Sequence, residues 1–273
     1  MPELPEVETT RRGIRRHITG KTVSAVNIYN PALRWPVPAA VLKKQLPGQQ
    51  IKNVSRRGKY LLLTFDSGTL IIHLGMSGSL RVLADKARHD PHEHVEILFT
   101  NRKSLRLRDP RRFGSVLWTT GPASEHRLLS RLGPEPLEEG FSADYLYAQT
   151  RNRKGSIKNL IMNARIVTGV GNIYATEALF YAGIRPARQA GRLSRKACSR
   201  LVAEIKLVLS RAIEAGGTTL RDFTDSNGRS GYFSLSLAAY GREGKACKQC
   251  GTIIKKRVLA QRSSFYCPNC QKT

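Results

Sequence analysis

Apolar positions recur at helical spacing over residues 5–18, where Val7, Ile14 and Ile18 fall on one side and Pro5 can occupy the first turn; Gly20 follows as a stop. Strand-like segments come next, at 22–29, 59–66 (KYLLLTFD), 69–74 (TLIIHL), 94–99 (HVEILF) and 104–108. In HVEILF, Val95, Ile97 and Phe99 alternate with polar or smaller positions, which predicts a half-buried strand. This half reads as a β-sandwich with a helix at its front edge. The pattern changes near Gly133-Pro134-Glu135-Pro136, a boundary signal. Residues 194–215 form the clearest helix: Ser194 can cap it, Leu201, Ile205, Val208 and Ala212 share a face, and Gly216-Gly217 ends it. Residues 157–182 also read as helical, broken by Thr168-Gly169-Val170-Gly171. The polar, glycine-bearing stretch 217–233 predicts a mobile loop, and 245–271 a small terminal unit. The chain is thus an α+β protein with three expected parts: 1–133, 134–240 and 241–273.

Charge narrows the partners. The 273 residues carry 46 Lys and Arg against 20 Asp and Glu, a net charge of +26. Such an excess points to a polyanion, with nucleic acid ahead of an acidic membrane surface. No apolar run approaches the roughly 20 residues of a membrane span. The start, MPELPEVETT, is acidic and proline-rich, unlike the basic and then apolar pattern of a signal peptide. A soluble, cytoplasmic protein is expected, and no feature signals a homo-oligomer, so a monomer is expected as well.

The five cysteines are too few and too clustered for a disulfide framework. Cys247-Lys248-Gln249-Cys250, then 16 residues, then Cys267-Pro268-Asn269-Cys270 has the spacing of a zinc ribbon. Each CxxC lets two thiolates meet one ion from a tight turn, and two such turns complete a tetrahedral shell. A closed four-cysteine site leaves no position for water, so the Zn²⁺ is read as structural. Two disulfides or free thiols are the alternative. Cys198, inside the 194–215 helix, reads as packing or surface. Lys255, Lys256, Arg257 and Arg262 lie between the cysteine pairs and suit phosphate or groove contact.

MPELPEVETTRRGI at the N-terminus resembles the start of formamidopyrimidine-DNA glycosylases. Further matching segments follow in order: RRGKYLLL (56–63), HLGMSGSLR (73–81), RDPRRFG (108–114), LGPEPL (132–137), TGVGNIYATEALFYAGI (168–184), GGTTLRDF (216–223) and QRSSFYCPNCQ (261–271). The resemblance spans essentially the whole chain. It implies an N-terminal β-sandwich, a helical domain with a helix–two-turn–helix motif, and a zinc ribbon. It also implies excision of oxidised purines, 8-oxoguanine and formamidopyrimidines, from duplex DNA, followed by β,δ-elimination at the abasic site. The departure is Asn163 in Leu160-Ile161-Met162-Asn163, where the family often has an acidic residue.

The chemistry suits the residues. An amine must be unprotonated to attack a sugar C1′. A lysine near pKa ~10.4 needs strong tuning, whereas an α-amino group sits near ~7.7–8.0. Pro2, after loss of Met1, is a secondary amine whose iminium stays cationic until hydrolysed, an electron sink for strand cleavage. The resemblance makes Pro2 the nucleophile, Glu3 the acid/base and Lys59 a phosphate contact that aids catalysis. Lys59 is expected to open a strand beside Arg56 and Arg57, the alternative being a strand-edge lysine facing solvent. Glu6 is expected to bond the N-terminal region or to complement the helix N-terminus.

Extruding a nucleotide costs a few kcal/mol, which an inserted wedge offsets in part. Met76, Arg111 and Phe113 match the family's void-filling triplet; core packing is the other reading of Met76 and Phe113, and Arg112 an alternative to Arg111. His92, Lys154, Asn172 and Arg262 match DNA-contacting positions, and Asn172 is also expected to cap a helix. Oxidation of guanine turns N7 from acceptor to donor, so a carbonyl presented there selects the damaged base; the resemblance implies that the loop 217–233 supplies such contacts, with Thr218 and Thr219 as candidates. Two rival readings are an endonuclease VIII-like glycosylase for oxidised pyrimidines, against which Leu4 argues, and a non-catalytic zinc-ribbon protein that binds DNA or RNA.

Overall fold

Helix α1 (Leu4–Ile18) begins where Glu3 can serve as N-cap and Pro5 as an early helical residue, and it ends before Gly20, whose φ is +74°. In this computed structural model the described residues are 2–84, 86–217 and 237–272. They form two compact units: Met1–Ser130 with Ala215–Ser234, and Arg131–Glu214 with Leu235–Thr273.

In the first unit, Val7, Ile14 and Ile18 of α1 enter a core shared by two four-stranded antiparallel sheets. One sheet has the order β1-β6-β7-β5, from Val23–Ile28, Glu93–Phe99, Lys103–Arg108 and Ser79–Ala84. The other is β2-β3-β4-β8, from Asn53–Arg57, Tyr60–Phe65, Gly68–His73 and Ser115–Thr119. Leu61, Leu63 and Leu70 of one sheet and Val95, Ile97, Leu105 and Leu107 of the other are all buried, as a sandwich requires. Strands β2, β5 and β8 and the short helix α2 (Ala39–Gln45) have weak patterns: β2 buries only Val54, and α2 only Leu42. Glu8 ties α1 to β2. Its carboxylate pairs with Arg11 at 2.7 Å, Arg12 at 2.8 Å and Arg56 at 3.3 Å.

Strand β6 departs from the expected half-burial. Glu93, His94 and Glu96 are buried along with the apolar positions. The polar face is covered because Arg106 of β7, itself 3% exposed, pairs with Glu96 at 2.7 Å and Glu93 at 3.2 Å. Glu96 also accepts from Tyr29 Oη at 2.6 Å and Asn27 Nδ2 at 2.9 Å. Burial raises its pKa, but these hydrogen bonds and the Arg106 charge outweigh burial and hold it below the usual range. Alternation in sequence identified the core face but not a charged network that buries the other.

The second unit carries α3 (Ala143–Thr150), α4 (Ile157–Ile161), α5 (Asn172–Tyr181) and α6 (Arg195–Glu214), then the hairpin β9 (Lys255–Leu259) and β10 (Arg262–Tyr266). Ser194 Oγ accepts from Ala197 N–H at 3.2 Å, and Leu201, Ile205, Val208 and Ala212 are buried with Cys198. The ribbon is fastened to the helices by polar contacts. Buried Lys158 of α4 donates to Ser264 Oγ at 2.8 Å and the Ser263 carbonyl at 3.0 Å. Glu177 of α5 accepts from the backbone N–H groups of residues 238, 239 and 240 at 2.7–2.9 Å. Among the described residues, no helix is long and apolar enough to cross a membrane.

Candidate active site and metal centre

The N-terminus is built into the cap of α1. Glu3 and Glu6 form a reciprocal capping box: the Glu3 carboxylate accepts the Glu6 N–H, and Glu6 Oε2 accepts the Glu3 N–H at 2.8 Å. Glu6 therefore both bonds the N-terminal region and places charge at the helix start. Pro2 is buried, and Glu3 and Glu6 are each 1% exposed. Gly217, with φ +84°, passes so close that a Cβ there would lie 3.1 Å from Glu6 Oε1.

Lys59 does not open a strand. It is the second residue of the two-residue turn Gly58-Lys59 between paired Arg57 and Tyr60. Gly58 supplies the positive φ of 56° at the first turn position, which a tight hairpin needs. The turn lifts Lys59 out of the ladder, so the sequence boundary was one residue early. Its charge acts on His73 of β4, whose ring lies 4.8 Å from the Tyr60 ring. His73 Nδ1 accepts the Gly75 N–H at 3.0 Å. Burial, then the charges of Lys59 and Arg34, push the His73 pKa down to about 4, so the ring is neutral near pH 7. Sequence reasoning passed over His73; the histidine at a strand end, ahead of Gly75, was the available signal.

Met76 lies half-buried in the 75–78 turn, and Arg111 and Phe113 are exposed in the 110–114 turn. Phe113 is 44% exposed, which rules out core packing for it. The Arg111 guanidinium carbon stands 5.1 Å from the Phe113 ring centre. The two turns touch: a Cβ on Gly75, φ +63°, would lie 2.4 Å from the Phe113 carbonyl carbon. Arg112 is also exposed, with a left-handed φ of 56°. His92 is exposed on the loop before β6, its N–H donating to Asp90 Oδ1 at 2.8 Å.

In the second unit, Lys154 is exposed between α3 and α4. Asn172 does not cap α5. Gly171 is the N-cap, and Asn172 is the first helical residue. Its Oδ1 is buried without a hydrogen-bond partner, because from that position the side chain no longer reaches the helix's free N–H groups. Arg262 is exposed at the start of β10, directly after Ala260 and Gln261, whose φ values of 44° and 60° make a tight turn without glycine. Thr218 and Thr219 lie outside the described residues.

The Sγ atoms of Cys247, Cys250, Cys267 and Cys270 all lie within 4.8 Å of one another. Cys247 to Cys270 is 3.9 Å and Cys250 to Cys267 is 3.5 Å. A disulfide needs about 2.05 Å. A tetrahedral Zn²⁺ with Zn–S near ~2.3 Å places sulfurs about 3.8 Å apart, so the four thiolates fit one structural zinc. Cys198, buried in α6, is not part of the cluster.

A strongly basic chain with a four-cysteine ribbon and exposed cationic and aromatic loop tips has the surface of a DNA-binding protein. The chain belongs to the formamidopyrimidine-DNA glycosylase family. The family's N-terminal domain matches residues 1–116, its H2TH domain 132–224, and the zinc finger found in FPG and IleRS 244–273. The chain is 56% identical to the formamidopyrimidine-DNA glycosylase of Thioalkalivibrio sulfidiphilus and 52% to that of Neisseria meningitidis, all of each chain being covered. Among solved structures it resembles wild-type Lactococcus lactis Fpg in complex with N7-benzyl-Fapy-dG DNA, at 33% identity, full coverage of both chains and a TM-score of 0.92. It also resembles the same protein with abasic-site DNA, at 33% identity, TM-score 0.92 and coverage of 99% and 100%. Thermus thermophilus MutM (Fpg) aligns at 38% identity, TM-score 0.89 and coverage of 99% and 98%.

Proposed function

We propose that this chain excises oxidised purines from duplex DNA and cleaves the resulting abasic strand with its own N-terminal amine. The observation that carries the reading is the capping box, which holds a buried carboxylate, Glu3, next to residue 2. After Met1 is removed, the unprotonated Pro2 nitrogen attacks C1′ of the lesion nucleotide. The C1′–N9 bond breaks and its electron pair leaves with the base, which takes up a proton. Glu3 shuttles protons as the C1′–O4′ bond opens, O4′ taking one up while the Pro2 nitrogen becomes an iminium. The iminium then accepts the electrons released when the C2′ proton is removed, and the C3′–O bond breaks. A second elimination breaks C5′–O, and water hydrolyses the adduct. Lys59, displayed on its turn, holds the lesion phosphate.

Extrusion falls to the loops. Met76 fills the vacated space, Phe113 stacks, and Arg111 bonds the orphaned base. His92, Lys154, Asn172 and Arg262 grip the backbone, which fixes register without reading sequence. On this reading, residues 1–133 carry the chemistry, while 134–240 and 241–273 carry the grip. Duplex DNA as substrate also favours a cytoplasmic, nucleoid-associated monomer.

Borohydride trapping on a duplex with 8-oxoguanine opposite cytosine tests the assignment. A covalent adduct mapping to Pro2 is expected. A protein that keeps an N-terminal extension on Pro2 is expected to lose trapping and excision while still binding DNA. Full excision by the blocked protein would exclude Pro2 as nucleophile, and retention without any adduct would favour a binding module.

A further inference from the structure

The two turns that carry Met76, Arg111 and Phe113 meet at a side chain with no part in the chemistry above. Asp109, which follows β7, is 0% exposed. Its Oδ1 accepts the Ser77 hydroxyl at 2.8 Å, and its Oδ2 accepts the Gly114 N–H at 2.7 Å. Ser77 Oγ accepts in turn from the Arg111 N–H at 3.3 Å. The Asp109 backbone extends the network. Its N–H donates to the His92 carbonyl at 2.9 Å, its carbonyl accepts the Arg112 N–H at 3.1 Å, and the same carbonyl lies 2.8 Å from His94 Nε2. One carboxylate and its flanking peptide groups thus join the loops 75–78, 89–92 and 110–114 and the start of β6.

The surrounding backbone has little slack. A Cβ on Gly78 would lie 2.2 Å from the Leu74 carbonyl oxygen, and one on Gly114 would lie 2.9 Å from Asp109 Oδ2. Arg112 holds a left-handed φ of 56°, a conformation that persists where surrounding contacts over-determine it. Two donors, Ser77 O–H and Gly114 N–H, converge on this buried point. A carboxylate offers an oxygen to each, whereas an amide offers only one. A loose turn would lose conformational freedom on entering a base stack, and that loss would oppose insertion; a braced turn has lost it beforehand.

We propose that Asp109, acting with Ser77, is a positioning residue that holds the 75–78 and 110–114 turns in the shape needed to enter duplex DNA. Through the His92 carbonyl it also couples the wedge to a backbone contact. This rests on Met76, Arg111 and Phe113 being the inserting residues.

The test uses the full-length, zinc-loaded protein with Ser77→Ala or Asp109→Asn; the two changes perturb the same network from opposite ends, so one can stand in if the other misfolds. In the free protein, Ser77→Ala is expected to speed amide exchange at both Arg111 and Gly114 by about tenfold or more, the scale of one lost buried hydrogen bond. On DNA, a fluorescent base analogue beside 8-oxoguanine is expected to report loss of unstacking. Single-turnover excision from intact duplex is expected to fall by about tenfold or more, and cleavage of a preformed abasic site by about twofold or less. The double variant is expected to be little worse than the worse single one, since both remove one network. Normal unstacking and excision despite faster exchange would overturn the positioning role, as would equal losses on both substrates. If the wild-type protein neither excises nor traps, the functional reading fails instead. Exchange then decides on the brace alone: joint release of Arg111 and Gly114 upholds it, and independent behaviour removes it.

Discussion

His73 shows how a single residue acquires a role from its neighbours. Its Nδ1 is occupied by the Gly75 N–H, and burial, with the charges of Lys59 and Arg34, disfavours a proton on the ring. Because its folded pKa of about 4 lies below the ordinary 6.5, the unfolded chain binds a proton that the folded chain excludes. Stability is therefore expected to fall as pH drops from 6.5 towards 4. His73→Asn keeps an acceptor for Gly75. It is expected to stay within about 1 kcal/mol of wild type at pH 7 and to lose most of that dependence. Urea unfolding across this range checks it; an unchanged slope would assign the proton to another group. Lys59 sits half-buried on its turn, one residue from the ladder, and is proposed to hold the lesion phosphate. Lys59→Ala is expected to slow single-turnover cleavage by about 10²-fold or more while base unstacking stays normal. Loss of unstacking instead would place Lys59 in distortion, not chemistry.

At the scale of elements, α1 combines an apolar stripe with an anchor. Burial raises the Glu8 carboxyl, but hydrogen bonds from Arg11 and Arg12, with the charges of Arg11 and Arg56, hold it at about 2 against an ordinary 4.5. A depressed acid contributes stability above its unfolded pKa and loses that contribution as pH falls through its folded one. The Glu8 contribution is thus expected to vanish between pH 4.5 and about 2, below the His73 window. Glu8→Gln is expected to cost about 1–3 kcal/mol at neutral pH and almost nothing near pH 2, read by denaturant unfolding. Asp109 and Ser77 join the 75–78 and 110–114 turns, which the proposed function makes one wedge. Replacing Met76, Arg111 and Phe113 together with alanine is expected to reduce excision from intact duplex by about 10²-fold or more, since unstacking costs a few kcal/mol. Cleavage of a preformed abasic site, where no base pair opposes extrusion, is expected to suffer far less. Equal loss on both substrates with normal unstacking would show that the triplet is not a wedge.

Over the whole molecule, the ribbon is the part least able to hold itself. Its small core is Cys247, Ile254, Phe265 and Cys267 against Phe180, Ala238 and Ala239, and β9 is almost wholly exposed. Structural zinc in isolated fingers supplies about 10–16 kcal/mol of apparent binding energy, more than such a core can. Chelation is expected to unfold 244–272 and abolish lesion binding while the sandwich, with its own core, stays folded. Hydrogen exchange and thiol counting check this. Four cysteines should become reactive and Cys198, buried in α6, should not. A chelated protein with native ribbon exchange and affinity would show that the metal is not structural.

What the sequence determined by itself was whatever depends on local spacing. The α1 and α6 stripes, the strands around Leu61–Phe65 and Leu70–Ile72, and the two CxxC pairs are repeats of 3.6, 2 or 3 residues that need no distant partner to be read. The residues proposed for the chemistry were legible only through long motifs shared with a family, since a proline or glutamate in isolation carries no signal. Tertiary structure decided what depends on groups far apart in the chain. It buried the polar face of β6 under Arg106, moved Lys59 into a turn, and made Asn172 the first helical residue rather than the cap. It brought Ser77 to Asp109 across 32 positions. The physical reason is that a pattern records which face a side chain takes, whereas satisfying a buried charge or a backbone N–H depends on which partner arrives opposite it, and only the folded chain brings that partner there.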